Sequence, residues 1–199
     1  MKIELHNISK RYNKRYIFKN ISHTFASGKC HYIQGANGSG KSTLLQIIAG
    51  ILTPNTGEVS YTTAEKKTER EQVAMQLSIA APYLELIEEM TLSETIRFHF
   101  SLRKPLTADY QSLLHSTLGY DPTKQIRTYS SGMKQKLKLC LALLTQSQLV
   151  LLDEPTANFD AQNVAWYSRF VQEWQQGRTL IIASPQPVDI AFCEGGVVL

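Results

Sequence analysis

Apolar positions in the first third of the chain come as short runs broken by turns. Three of them, Ile3–Ile8, Phe18–Phe25 and Cys30–Gln34, read as strands. Glu58-Val59-Ser60-Tyr61 reads as a fourth, after the turn Pro54-Asn55-Thr56-Gly57. Thr62–Gln72 is polar and charged, a hairpin tip or a loop, and Leu77–Ala81 is a short buried strand. The pattern then turns helical. Thr91-Leu92-Ser93-Glu94 is a capping box that opens a helix through Phe100, and a second helix, Ala108–Leu118, stops at Gly119. Another helix starts after Ser130 and runs through Leu144. Leu149–Leu152 is a wholly apolar strand, Asp160–Gln176 a helix stopped by Gly177, and Thr179–Ala183 a last core strand. Strands alternating with helices predict an α/β fold, a mostly parallel sheet flanked by helices. No repeat, low-complexity segment or linker interrupts it.

Between the third strand and the first helix lies Gly35-Ala36-Asn37-Gly38-Ser39-Gly40-Lys41-Ser42-Thr43, which satisfies the phosphate-loop pattern G-x-x-x-x-G-K-[ST] in full and in the strand-to-helix context the pattern needs. The glycines let backbone N–H groups turn inward around an anion, and the helix directs its positive end at the same point. In that geometry Lys41 reaches the β- and γ-phosphates of a nucleotide, the Ser42 hydroxyl ligates Mg²⁺ and Thr43 bonds an α-phosphate oxygen.

Leu149-Val150-Leu151-Leu152-Asp153-Glu154 is an apolar strand ending in two acids. Continuous apolar character suits a central strand covered on both faces, and ligands of such sheets collect at the carboxyl ends of strands. Asp153 is therefore expected beside the phosphate loop as a holder of Mg²⁺, and Glu154 as the group that orients or deprotonates an attacking water.

Composition narrows the classes without choosing among them. A chain of 199 residues, 43% hydrophobic, can bury one core and a small appended subdomain. It has no run of about 18 apolar residues, and Met1-Lys2-Ile3-Glu4-Leu5 lacks a signal-peptide pattern, so the cytosol is the expected compartment. Cys30, Cys140 and Cys193 lie far apart in apolar settings and read as reduced core cysteines. The formal charge is only +4. Clusters such as Lys10-Arg11 with Lys14-Arg15, or Lys134, Lys136 and Lys138, face RNA, lipid headgroups, nucleotide phosphates or simply solvent. No nucleic-acid-binding module accompanies them, and no nucleic acid is expected as a partner.

Tyr129-Ser130-Ser131-Gly132-Met133-Lys134-Gln135 completes a recognisable set. Together with the phosphate loop, the acidic strand end and Asp160, it resembles the ATP-binding cassette (ABC) ATPases, whose motifs occur in this order across nearly the whole chain. The Met-Lys ending of the signature is similar to that of ABC exporters. The resemblance implies a P-loop NTPase core of mostly parallel sheet flanked by helices, with an antiparallel β subdomain near the amino end and a small helical subdomain around Glu88–Lys138, all in a single domain over 1–199. It also implies ATP and Mg²⁺ as cofactors, and a sandwich dimer in which Ser130, Ser131 and Gly132 of one ABC ATPase subunit, identical or different, cap the γ-phosphate held by the other. Tyr12 stands where the family stacks an aromatic on adenine, with Tyr16 as a rival, and Asp160 where a loop acid links the two sites and also suits a helix N-cap. The expected function is that of the ATPase subunit of a transporter, driving a separate transmembrane permease from the cytoplasmic face of the membrane through a groove lined by Pro82–Phe100. A soluble non-transport ABC ATPase and a nucleotide-gated switch are the alternatives.

Two family residues are missing. No Gln follows the strand Leu77–Ala81; Gln76 lies at its opposite end, and Glu85 either reaches the metal or is solvated. Pro185 holds the slot of the switch histidine, leaving Ser184 or Gln186 as the donor to the γ-phosphate. Slow but real hydrolysis is the expectation, because Lys41, Asp153 and Glu154 remain.

Overall fold

Strands β1 (Lys2–Tyr12) and β2 (Arg15–Phe25) open the computed structural model, which describes residues 1–199. They form an antiparallel hairpin with Tyr12 opposite Arg15, turned at Asn13, which takes a left-handed φ of 54° that asparagine tolerates. Both strands outrun their predicted spans, β1 through buried Ser9 and Lys10 to exposed Arg11 and Tyr12 and β2 through exposed Arg15 and Tyr16 and half-buried Ile17, stretches that carry no apolar alternation. β3 (Cys30–Gln34) leads through the glycine-rich loop into α1 (Lys41–Ile48), and β4 (Thr56–Thr63) returns to pair with β1.

The polar stretch Thr62–Gln72 does hold a hairpin tip, but also more than its pattern announces: β5 (Lys66–Thr68) and the first residues of α2 (Arg70–Gln76). The tip residues Ala64 and Glu65 both have positive φ, a conformation Asn or Gly usually signals. Within α2 only Val73 is buried, so no apolar stripe marks that helix.

β6 (Leu77–Ala80) is followed by α3 (Leu92–Leu102), α4 (Tyr110–Leu118), a 3-10 turn at Ile126–Thr128 and α5 (Ser131–Leu144). Then come β7 (Leu149–Asp153), α6 (Ala161–Gln175), β8 (Thr179–Ser184), α7 (Pro187–Ile190) and β9 (Gly195–Val198). Capping chemistry sets the helix starts. Thr91 and Glu94 form the reciprocal capping box, Ser130 Oγ accepts from the Met133 N–H, and Asp160 accepts from the Asn163 N–H. α4 starts two residues later than predicted. α6 ends at Gln175, because Gln176 itself turns left-handed (φ 46°) ahead of Gly177. α7 and β9 were not expected: α7 has four residues, and β9 contributes only Val197 to the core.

The strands form two sheets. One is antiparallel in the order β2-β1-β4-β5, and the other runs β6-β7-β8-β3-β9 with all pairings parallel. β7 and β8, central and fully buried, divide the core by alternation. Leu149, Leu151, Ile181 and Ala183 pack with α1 and the antiparallel sheet, while Val150, Leu152, Leu180 and Ile182 pack with α5 and α6. Fully burying each aliphatic side chain is worth about 1.5–3 kcal/mol, so both faces of this sheet anchor the fold. No helix is long and apolar enough to cross a membrane.

All three cysteines are free, Cys30 and Cys140 buried and Cys193 partly so. Cys140 is an isolated core thiol, but Cys30 and Cys193 face each other with their sulfurs 2.9 Å apart. Parallel pairing of β3 with β9 brings them together, and Glu194 N–H donates to the Cys30 carbonyl.

Candidate functional site

The parallel register sets the site. Gln34 pairs with Ser184, and Asp153 with Ala183, so the ends of β3, β8 and β7 lie side by side at one edge of the sheet. The chain leaves all three in turns. The first is the loop from Gly35 to Gly40. Gly40 caps α1 at φ 104°, and a Cβ there would stand 2.4 Å from Ile17 Cγ2. A Cβ on Gly35 would stand 2.8 Å from the Leu199 carbonyl. Asn37 and Gly38 form the exposed crest, Ser42 and Thr43 are half-buried on the first turn of α1, and Leu44 N–H closes that turn on the Gly40 carbonyl.

Lys41 is buried and its ammonium donates to the Ala36 carbonyl at 3.1 Å, inside the loop. Ser39 keeps its N–H on the same carbonyl, but its buried hydroxyl has no partner. Asp153 is 1% exposed, and neither carboxylate oxygen has a hydrogen bond of normal geometry. Burial pushes its pKa up to about 6; nearby Ser42 opposes the rise, the Glu154 charge adds to it and Lys41 opposes it. A buried carboxylate without partners is costly unless something binds there. Orphaned Asp153, half-buried Ser42 and buried Lys41 beside a loop with no room for a Cβ at Gly35 or Gly40 fit a phosphate chain with a hard, oxygen-seeking cation such as Mg²⁺.

Glu154 follows in a left-handed conformation (φ 44°), its N–H donating to the Ala183 carbonyl at 2.8 Å. Gln135, buried on α5, donates to the Pro155 carbonyl at 3.1 Å and so ties this turn to the helix that Ser130 caps. Ser130 and Ser131 are exposed, and Gly132 lies against Asn158, whose carbonyl would be 3.0 Å from a Cβ on it. The Ser130–Gly132 turn and the Asn158–Asp160 loop are thus neighbours. Asp160 is exposed, with its carboxylate engaged as the N-cap of α6.

Tyr12 and Tyr16 are 50% and 41% exposed on the hairpin whose Ile17 and Phe18 cover Gly40. Each carries a lysine over its ring, Lys10 over Tyr12 and Lys19 over Tyr16. Both alternatives therefore stay near the loop.

Other expectations are decided by the turns. Gln76 accepts from Gln148 N–H at the amino end of the sheet, away from Asp153, and is no substitute for the missing glutamine. Glu85 is exposed beside Lys138 in a cavity of about 480 Å³. Tyr83, the second residue of the turn after Ala81, is the one that approaches Gln46 and Asp153. Burial raises its phenol pKa, Gln46 opposes this and the Asp153 charge adds to it. Ser184 is not free to serve a ligand. It gives its proton to Asp189, and its oxygen accepts the Gln186 N–H at 3.0 Å. Gln186 remains, exposed between Pro185 and Pro187.

Tyr83, Gln135, Thr156 and Asp189 are the neighbours that sequence reasoning missed. Only Asp189 left a trace, as an acid between Val188 and Ile190 in an otherwise apolar segment.

Comparisons with known proteins bear on the family and the fold. The family model for ABC transporters matches residues 18–157. The ABC transporter ATP-binding protein YybJ of Bacillus subtilis (strain 168) is 30% identical over 202 residues, spanning 96% of this chain and 89% of the relative. Nod factor export ATP-binding protein I of Rhizobium johnstonii is 27% identical over 189 residues, spanning 92% of this chain. The chain covers only 60% of that relative's length. A bacterial ABC transporter cassette solved as a dimer superposes with a TM-score of 0.82 at 22% identity, over 99% of this chain and 94% of that one. The shared fold is the P-loop NTPase core with its added antiparallel sheet.

Proposed function

Because this chain belongs to the ABC transporter family, we propose that it binds and hydrolyses Mg·ATP as the ATPase subunit that drives a separate membrane permease. The observation that carries the reading is the buried, unpartnered Asp153 carboxylate beside Lys41 and Ser42 at the mouth of the glycine cradle. Lys41 and the loop N–H groups offset the phosphate charge, with Gly35, Asn37, Gly38, Ser39 and Gly40 forming the cradle and Thr43 meeting the α-phosphate. Ser42 and Asp153 hold Mg²⁺, which when bound neutralises charge on the β- and γ-phosphate oxygens. Glu154 accepts the proton of the attacking water. Calorimetric titration with ATP, with and without Mg²⁺, and a phosphate-release assay test the reading; no binding and no release would end it.

Ser130 and Ser131 are exposed and Gly132 is half-buried, and in this reading they serve a nucleotide held by a second cassette. Asp160 on the adjoining loop joins the two sites. The dimeric state of the related cassette supports this arrangement. Glu154→Gln keeps the geometry and removes the base, so it should trap an ATP-dependent dimer that the wild type dissolves as it turns over. Light scattering with ATP reads the difference. Equal dimer lifetimes in the two proteins would instead favour a nucleotide-gated switch, the second reading, which Pro185 in the histidine slot and the engaged Ser184 motivate.

With one preorganised donor fewer, turnover should be slower than in a complete site by about 10²–10³-fold, or about 2.7–4 kcal/mol. Tyr12 is the proposed adenine platform. Tyr12→Ala should weaken ATP binding by about 1–3 kcal/mol, or roughly 5- to 150-fold, and leave inorganic triphosphate binding unchanged. The same pattern in Tyr16→Ala, and not in Tyr12→Ala, would transfer the role to Tyr16.

The permease contact is proposed for a groove of about 190 Å³ lined by Leu86, Ile87, Met90, Phe98 and Leu102, between α3 and the segment before it, within the helical subdomain proposed around Glu88–Lys138. Ile87, Phe98 and Leu102 are large apolar side chains left exposed there. Docking by this face would hold the chain at the cytoplasmic side of the membrane through its partner.

A further inference from the structure

Asp189 sits on α7, outside every motif that names a site residue, yet its carboxylate is almost completely buried at 1% exposure. Two hydroxyl groups serve it: Thr156 Oγ1 donates to Oδ1 at 2.6 Å, and Ser184 Oγ donates to Oδ2. Each hydroxyl has one proton to give. With its proton committed, Ser184 Oγ accepts from the Gln186 N–H, and the Asp189 N–H in turn donates to the Gln186 carbonyl. The backbone carbonyl of Asp189 is held by the Tyr167 hydroxyl, so the acid cannot move off independently.

Thr156 belongs to the turn closed by Ala157 N–H on the Glu154 carbonyl. That turn carries Glu154 in its left-handed conformation. Such a backbone costs about 1–3 kcal/mol in a non-glycine residue and persists only where the surroundings enforce it. Here the Ala183 carbonyl holds one side, Gln135 a second and Asp189 the third. The turns leaving β7 and β8 are therefore joined through one buried carboxylate.

We infer that Asp189 is a positioning residue for hydrolysis, fixing the Glu154 turn through Thr156 and presenting Gln186 toward the phosphate edge through Ser184. The inference rests on the proposed ATPase reading. It assigns to a buried latch part of the preorganisation that the absent histidine leaves undone, since small misplacements of a reacting group cost orders of magnitude in rate.

Asp189→Asn has nearly the same shape but can no longer accept from two hydroxyls in the same way, because one oxygen becomes an amide donor. In this variant, kcat should fall about 10- to 100-fold, with ATP affinity within about twofold of wild type and the protein still folded at the assay temperature. Thr156→Val, which deletes one arm of the latch, should lower kcat in the same direction. The losses should combine less than multiplicatively in the double variant, because the two substitutions share the Thr156–Asp189 contact. If Asp189→Asn does not fold, Thr156→Val alone carries the kcat-against-affinity test. A wild-type kcat in the folded variants would overturn the inference, and so would a joint loss of affinity, melting temperature and kcat, which marks a purely structural role. No turnover in the wild type would overturn the ATPase reading and this inference with it; turnover in the wild type that the variants match overturns this inference alone.

Discussion

Lys41→Ala should abolish measurable ATP binding in a calorimeter while leaving the circular dichroism of the protein unchanged. The side chain is buried inside the loop, and its only hydrogen bond is to the Ala36 carbonyl, so the folded state loses little by its removal. A bound phosphate chain loses much more, because its charge would then lie beside Asp153 and Glu154 with the buried ammonium gone and only the metal left to offset it. Truncating one partner of a buried, hydrogen-bonded charge pair costs about 2–5 kcal/mol, which is roughly 30- to 5,000-fold in Kd. Retained affinity would show that the loop grips phosphate by its backbone alone, and the role given to Lys41 would fall.

Asp153→Asn should do two opposite things: eliminate Mg²⁺-dependent turnover and make the nucleotide-free protein more stable. Burial lifts the Asp153 pKa from 3.8 to about 6. The sign follows from linkage. The folded state holds this proton more tightly than the unfolded chain, so the cost of the bare carboxylate is absent below the unfolded pKa. It grows as pH rises through the folded value and is fully present near pH 7. Asparagine removes that cost. A gain of about 1–3 kcal/mol is expected at neutral pH, and each kcal/mol corresponds to about 2–4 °C in melting temperature for a domain of this size. Thermal melts of the two proteins at acid and neutral pH check it; the difference should shrink in acid. A variant that melts lower than wild type at pH 7 would mean that Asp153 is stabilised by contacts already in place, and the site would not be poised for a cation.

Much of this was readable along the chain. The phosphate loop needs its glycines, lysine and serine within nine consecutive residues, so local sequence carries nearly the whole of it. The apolar run ending in Asp153 and Glu154 is equally local, since a strand buried on both faces must be apolar at every position until it emerges. Helix starts at Thr91, Ser130 and Asp160 were legible because a cap is a bond between residues three apart. α2 and β9 were not: a helix that buries one valine and a strand with one core residue give periodicity nothing to register.

What belongs to the sequence alone, then, is the inventory of chemistry: a phosphate cradle, an acid pair at a strand end, a signature turn, and the alternation that makes an α/β sheet. Tertiary structure alone decided who stands beside whom. The turn from β8 into α7 set Ser184 next to Asp189 and thereby withdrew it as a phosphate donor. The packing of elements carried Tyr83, and not Glu85, toward Asp153, threaded Gln135 onto the Pro155 carbonyl and brought Cys30 against Cys193. These last three are contacts between residues far apart in the chain, made by the register of the parallel strands and the packing of other elements upon them. No periodicity within a single element encodes such a meeting, because its energy comes from burying two elements together.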